Sequence, residues 1–196
     1  MNISKIQKNL YGTVAVFGSA FNPPHRGHED VIKQALQHVD HILLVPSYCH
    51  AFGKQMAPYE QRLAMTEAMA VSLSGSLNRS GRIRVSDIEH TLSEQKSIGE
   101  AIYTYDVLRA IEEENPNASL IFVLGPDNAE PATWDKFYRS QEILDRWSTW
   151  VAKERVPVRS TSIRQALAQG NLPSEHECAG EIIDMLKTMN WYYGCE

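Results

Sequence analysis

Cysteine is scarce in this chain: Cys49, Cys178 and Cys195 are the only three in 196 residues. Their number is odd and their spacing matches no metal-ligand pattern, so neither a disulfide framework nor a zinc site is indicated. They read as reduced thiols, which points to a cytoplasmic protein. No apolar run approaches the ~18 residues needed to cross a bilayer, so no membrane span is expected. The opening MNISKIQKNLYG has no apolar core and no small-residue cleavage site, which argues against a secretory signal. Positive charge is also in short supply. A formal net charge of −5 leaves no electrostatic footprint for nucleic acid, so an anionic ligand must be met by local charge. Internal repeats, low-complexity linkers and metal-caging carboxylate clusters are missing as well. What remains, 43% hydrophobic and 22% charged residues, is the composition of an ordinary globular chain. The length suits one domain over 1–196, with a core over 11–152 and a C-terminal part over 153–196.

Within that length the pattern alternates. Strand-like runs are TVAVF (13–17), HILLVPS (41–47), RIRVSDI (82–88), SLIFVLG (119–125) and the weaker STWVA (148–152). Helical spacing falls between them, over Gly27–Val39, Tyr59–Leu73 and Ile98–Glu114. Two more helical stretches follow the last strand, Ser160–Gln169 and about Ala179–Met189. Residues 74–81, 91–97 and 169–178 read as loops. HILLVP and SLIFVLG are apolar without alternation, as strands covered on both faces are. The expected fold is α/β: a doubly wound, Rossmann-like parallel sheet with helices on both faces and a small C-terminal helical part.

Ligands of such sheets bind beyond the carboxyl ends of the strands. Three unusual segments belong there: GSAFNPPHRGH (18–28), GPDNAEPATW (125–134) and VRSTSIRQAL (158–167). In the first, Gly18 allows close backbone approach, and Pro23 and Pro24 stiffen the entry to a helix. A helix start offers N–H groups and the positive end of the dipole to an anion. His28 shares a stripe with Val31, Ile32 and Ala35 and should point inward, while His25 sits just before the helix. Two imidazoles there can donate to phosphate oxygens and stabilise developing charge. The bland alternative is a helix cap and one satisfied core histidine. A metal site is disfavoured, because His-x-x-His lacks an i, i+4 pair and a third ligand. In the third segment Ser160 or its neighbour is a natural N-cap and Gly170 a natural stop. Ser160, Thr161 and Arg164 can face one ligand, forming a second phosphate cradle. The bland alternative is a capped surface helix.

These residues carry a resemblance. GSAFNPPHRGH resembles the (H/T)xGH signature of the nucleotidyltransferase superfamily, and RSTSIR resembles its ISSTxIR signature. YEQRLAMTEAM (59–69), YTYDVL (103–108), VLGPDNAEPATW (123–134) and MNWYY (189–193) resemble, in order, blocks of the nicotinate/nicotinamide mononucleotide adenylyltransferases. The resemblance spans about residues 11 to 193. It implies AMP transfer from ATP to the 5′-phosphate of a pyridine mononucleotide, with pyrophosphate released and Mg²⁺ riding on the ATP phosphates. It implies that Gly18, Ser19 and Phe21 lie against the nucleotides and that His25 and His28 contact the ATP phosphates. Gly125 and Asp127 would hold the adenosine ribose or neighbouring atoms of the product, and Ser160, Thr161 and Arg164 the departing phosphates. Asn22, Lys54, Thr104 and Trp134 would serve the mononucleotide, Lys54 at its phosphate and Trp134 by stacking.

The chain departs from the family pattern at four points, one of them the uncommon HAFGK (50–54) after the second strand, whose role stays open. Asn22 stands where many bacterial members have Asp, Arg159 replaces a usual Ser, and only seven residues separate Val151 from Arg159. Rival readings are a transferase for another phosphate acceptor, such as phosphopantetheine or a sugar or polyol phosphate, and a non-catalytic nucleotide sensor. The preference between pyridine acid and amide, and any homo-oligomer, stay open at this point.

Overall fold

Apolar side chains at every position, rather than at alternate ones, make a strand that only a two-faced core can cover. HILLVP is such a run. In the computed structural model, which describes residues 10–48, 55–96 and 100–193, it forms the fully buried strand β2 (His41–Pro46). The other strands, named in chain order around it, are β1 (Gly12–Ser19), β3 (Ile83–Val85), β4 (Ala118–Leu124) and β5 (Ser148–Val151). All pair in parallel, in the order β3-β2-β1-β4-β5. Central β1 aligns Val16 with Leu43 on one side and Phe122 on the other.

The helices are α1 (Arg26–Ala35), α2 (Tyr59–Ser76), α3 (Ile88–Ser93), α4 (Thr104–Glu114), α5 (Pro126–Ala129), α6 (Pro131–Trp134), α7 (Ser140–Arg146), α8 (Ser160–Ala168) and α9 (Gly180–Leu186). A 3₁₀ turn, Asn190–Tyr193, follows. Strand periodicity divides the core in two. Ala15, Phe17, Ile42, Leu44 and Val123 face one side, where Ile32 of α1 and Met65 and Met69 of α2 pack on them. Val14, Val16, Leu43, Val45 and Phe122 face the other, against Leu108 of α4 and Ile143 of α7. This is the expected doubly wound arrangement. The C-terminal part is woven into the first side, since Ile163, Leu167, Ile182, Leu186 and Tyr192 belong to the same cluster as β1.

Several boundaries differ from the sequence reading. α1 ends at Ala35 rather than Val39, although Val39 is still buried. α2 continues to Ser76, into what reads as loop. RIRVSDI supplies only three strand residues, because the chain turns after Ser86 and α3 starts at Ile88. The helix expected from Ile98 begins at Thr104, with 97–99 outside the described residues. α7, not anticipated, buries one side chain, Ile143. No helix among the described residues is long and apolar enough to cross a membrane.

Candidate active site

The strand order reverses between β2-β1 and β4-β5, which places the switch point at the carboxyl end of β1. A cavity of about 810 Å³ opens there. Gly18, Ser19, Asn22 and His25 line it from the first segment, and Asn128 and Thr133 from the second. Ser160, Thr161 and Arg164 come from the third. A smaller cavity of about 210 Å³, walled by Gly27, Val31, Gly125 and residues 153–156, adjoins it. Gly18, Ser19, His25, Asn128 and Arg159 line both.

The first segment holds its shape through donors supplied by the end of the chain. Prolines have no N–H, and carbonyls before a helix have no partner within it, so outside donors are needed. Arg164 Nη1 donates to Asn22 O at 2.7 Å, Ser160 Oγ to Pro23 O at 3.0 Å and Cys178 Sγ to Pro24 O at 3.4 Å. Arg26 N donates to Glu177 O at 2.8 Å. Burial pushes the Cys178 thiol up to about 12, so it stays protonated as that donor. From below, the buried Arg62 donates to Ala20 O and Ser47 O at 2.8 and 2.7 Å, and to Ala57 O at 2.8 Å. It thereby ties the loops after β1 and β2 to the start of α2.

The two histidines form a reciprocal cap on α1. Gly27 N donates to His25 Nδ1 at 3.1 Å, and His25 N donates to His28 Nδ1 at 3.2 Å. An Nδ1 that accepts leaves the ring proton on Nε2. His28 Nε2–H then donates to Ser19 Oγ at 3.1 Å, and His25 keeps its Nε2–H as the donor it can offer a ligand. Burial, helped by the Arg159 charge, lowers His25 to about 4. Burial and the neighbouring His25 hold His28 well below the ordinary histidine range. Both rings are therefore neutral at pH 7. As neutral rings they can offer directed N–H donors, and the cations beside them are arginines.

Those arginines belong to the third segment. α8 has no side-chain cap: its N-cap is Arg159 rather than Ser160, which is the first residue inside the helix and directs its hydroxyl to Pro23 O. Arg164 spans Asn22 O and Thr161 Oγ1, the latter at 3.2 Å from Nη2. Arg159, the residue before the helix, is ion-paired with Glu154 on the wall shared by the two cavities. Gly170, with φ +79, ends the helix as its sequence position suggests.

The comparisons with known proteins follow this geometry. The cytidylyltransferase-like family model matches residues 16–166. The chain belongs to that family. A Myxococcus xanthus protein named as a nicotinate-nucleotide adenylyltransferase is 34% identical over 174 residues, 83% of this chain and 85% of its own. A Vibrio parahaemolyticus structure described as a nicotinate-nucleotide adenylyltransferase matches with TM-score 0.72 and 34% identity, covering 90% of this chain and 99% of that one. A Plasmodium falciparum nicotinic acid mononucleotide adenylyltransferase complexed with NaAD shares the fold, with TM-score 0.66 at 18% identity over 93% and 98% of the two chains.

Not every residue singled out in this cytidylyltransferase-like chain reaches the cavity. Phe21 is fully buried, edge-on to Phe17 and 4.8 Å from the His28 ring, so it supports the histidine from behind. Trp134 stacks on Phe137 at 4.9 Å and does not line the cavity; Phe137 does. Thr104 lines it at the start of α4, a helix without a side-chain cap. Gly125 borders the smaller cavity. Asp127 lies in α5, but its side chain is outside the described residues, as are Lys54, Cys49 and Cys195.

Other lining residues carry no sequence signal of their own. Tyr138 stacks on Tyr103 at 4.5 Å, and Lys136 lines the same cavity. Glu89 is buried on the cavity wall and accepts from Tyr48 N at 2.8 Å. Burial raises its carboxyl to about 8. Among the described residues no group of three His, Cys, Asp or Glu could hold a metal ion.

Proposed function

We propose that the chain transfers the AMP moiety of ATP to the 5′-phosphate of a pyridine mononucleotide, releasing pyrophosphate. The observation that carries this reading is the meeting of two cavities of unequal size on a shared wall of phosphate-type donors: Ser19, His25 and Arg159. The smaller cavity suits adenosine. The larger one takes the mononucleotide and, beside Ser160, Thr161 and Arg164, the β- and γ-phosphates. Relatives named for this activity at 34% identity support the assignment.

A phosphate is already a competent nucleophile, so the chain's task is positioning and charge stabilisation. An oxygen of the mononucleotide phosphate attacks the α-phosphorus in line. A new P–O bond forms, the bond to the bridging α,β-oxygen breaks, and the electron pair leaves with pyrophosphate. His25 Nε2–H and the Ser19 hydroxyl, oriented by His28, donate to phosphoryl oxygens. Arg159, Arg164 and the start of α8 meet the charge on the departing group. No protein residue is assigned to Mg²⁺, which we place with the polyphosphate; when bound it would neutralise part of that charge.

Of the two pyridine mononucleotides, the acid fits better. Thr104 sets the uncapped N-terminus of α4 on the cavity wall, and Lys136 adds a cation nearby. Both favour a carboxylate over a carboxamide. Pyrophosphate release with Mg-ATP, compared across nicotinate mononucleotide, nicotinamide mononucleotide and phosphopantetheine, tests the proposal. Release should be fastest with nicotinate mononucleotide. Release only with phosphopantetheine keeps the mechanism and overturns the acceptor. ATP binding without release from any of the three favours a nucleotide sensor.

A further inference from the structure

The closing 3₁₀ turn reaches the candidate active site through one hydroxyl. Tyr192 is 1% exposed, and its O–H donates to Asn22 Oδ1 at 3.0 Å, across 170 positions of sequence. Ala57 N donates to the same oxygen at 3.3 Å. A backbone N–H cannot accept, so the atom facing Ala57 must be the carbonyl oxygen, and the orientation of the carboxamide follows. The other end, Nδ2, is buried, and among the described residues no group accepts from it. Asn22 is 1% exposed and nonetheless contributes to the wall of the larger cavity. A buried donor without an acceptor is costly to leave so. On a cavity wall shared with Ser160, Thr161 and Arg164, the acceptor that fits is a phosphate oxygen.

We propose that Tyr192 is a positioning residue: its hydroxyl, 3.0 Å from Asn22 Oδ1, fixes the Asn22 carboxamide so that Nδ2 donates to a phosphate oxygen of one bound substrate. The inference rests on the transfer reaction above and adds to it a residue from the end of the chain. Without the hydroxyl only the longer Ala57 bond holds the amide, and its last torsion is released. Misplacing a group that must sit at hydrogen-bond distance costs on the order of tenfold.

Tyr192→Phe keeps the ring in the core and deletes only the O–H. Steady-state kinetics should show the KM of one substrate, ATP or the mononucleotide, raised about tenfold, with the other within about twofold. The substrate affected identifies whose phosphate Asn22 meets. In an Asn22→Ala background the same change should alter neither KM by more than about twofold, because the group it acts through is gone. Unchanged KM values in Tyr192→Phe, equal loss for both substrates, or full additivity with Asn22→Ala overturns the proposal. Calorimetric titration of the four proteins with ATP and with nicotinate mononucleotide reads the same coupling as affinities. A wild type that binds both ligands but releases no pyrophosphate sinks the reaction while leaving the coupling measurable, so the two failures are distinguishable.

Discussion

The rings of His25 and His28 lie 3.8 Å apart between centroids, tilted by 35° to each other, and each accepts a backbone N–H through Nδ1. The pairing fixes both tautomers at once, and burial above all keeps both rings uncharged.

His28→Ala removes the donor to Ser19 and the acceptor for His25 N together. Loss of one preorganised donor typically costs 10²- to 10³-fold in kcat, and pyrophosphate release should fall by about that much. Thermal unfolding should show the variant still folded. Near-normal turnover would remove His28 from the mechanism.

Gly27→Ala attacks the same cap from the side. A Cβ at Gly27 would lie 2.9 Å from His25 Cε1 and Nδ1 and 3.2 Å from Val156 O. One neighbour is ring and the other backbone, so the ring must yield. We expect kcat reduced at least tenfold with a small change in melting temperature. A fully active Gly27→Ala would show that the position of His25 is not critical.

Arg164→Lys keeps the charge and loses the fork that reaches Asn22 O and Thr161 Oγ1 together. The KM for ATP should rise about tenfold, and pyrophosphate should inhibit more weakly as a product. Equal ATP kinetics in Lys and Arg forms would mean that only the charge matters.

The pH dependence of stability separates two buried groups. Both histidine pKa values are lowered in the fold, so their contribution is complete above about 6.5 and is lost as pH falls, for His25 as pH approaches about 4. Glu89 is raised to about 8, so its contribution is complete below 4.5 and is lost as pH rises through 8. The two oppose each other below 6.5, and only Glu89 acts above it. Urea unfolding of wild type should therefore weaken between pH 6.5 and 9, and Glu89→Gln should be flat there. Parallel curves for the two proteins would show that Glu89 is already ionised in the fold.

How legible all this is in the sequence depends on distance along the chain. β1, β2 and β4 announce themselves because burial on both faces leaves uninterrupted apolar runs. The reciprocal cap is written within four residues, His25 to His28, and the cradle within six, Arg159 to Arg164. α5 and α6 hide because four residues starting at a proline show no period. α3 hides because it starts only three residues after β3 ends, inside the same RIRVSDI run. The neutral state of the histidines depends on burial, which local spacing does not report. The Asn22–Tyr192 bond and the carbonyls gathered by Arg62 join residues that only the fold brings together, and the same holds for the Tyr103–Tyr138 stack.

Three consecutive carbonyls, at Asn22, Pro23 and Pro24, are held by Arg164, Ser160 and Cys178. During synthesis β1, β2 and β4 emerge with α1, α2 and α4 well before any of those donors. The sheet can therefore assemble while the loop that handles phosphate is still unheld. The residues from Ser160 to Cys178 therefore complete a phosphate-handling loop that the earlier elements only present.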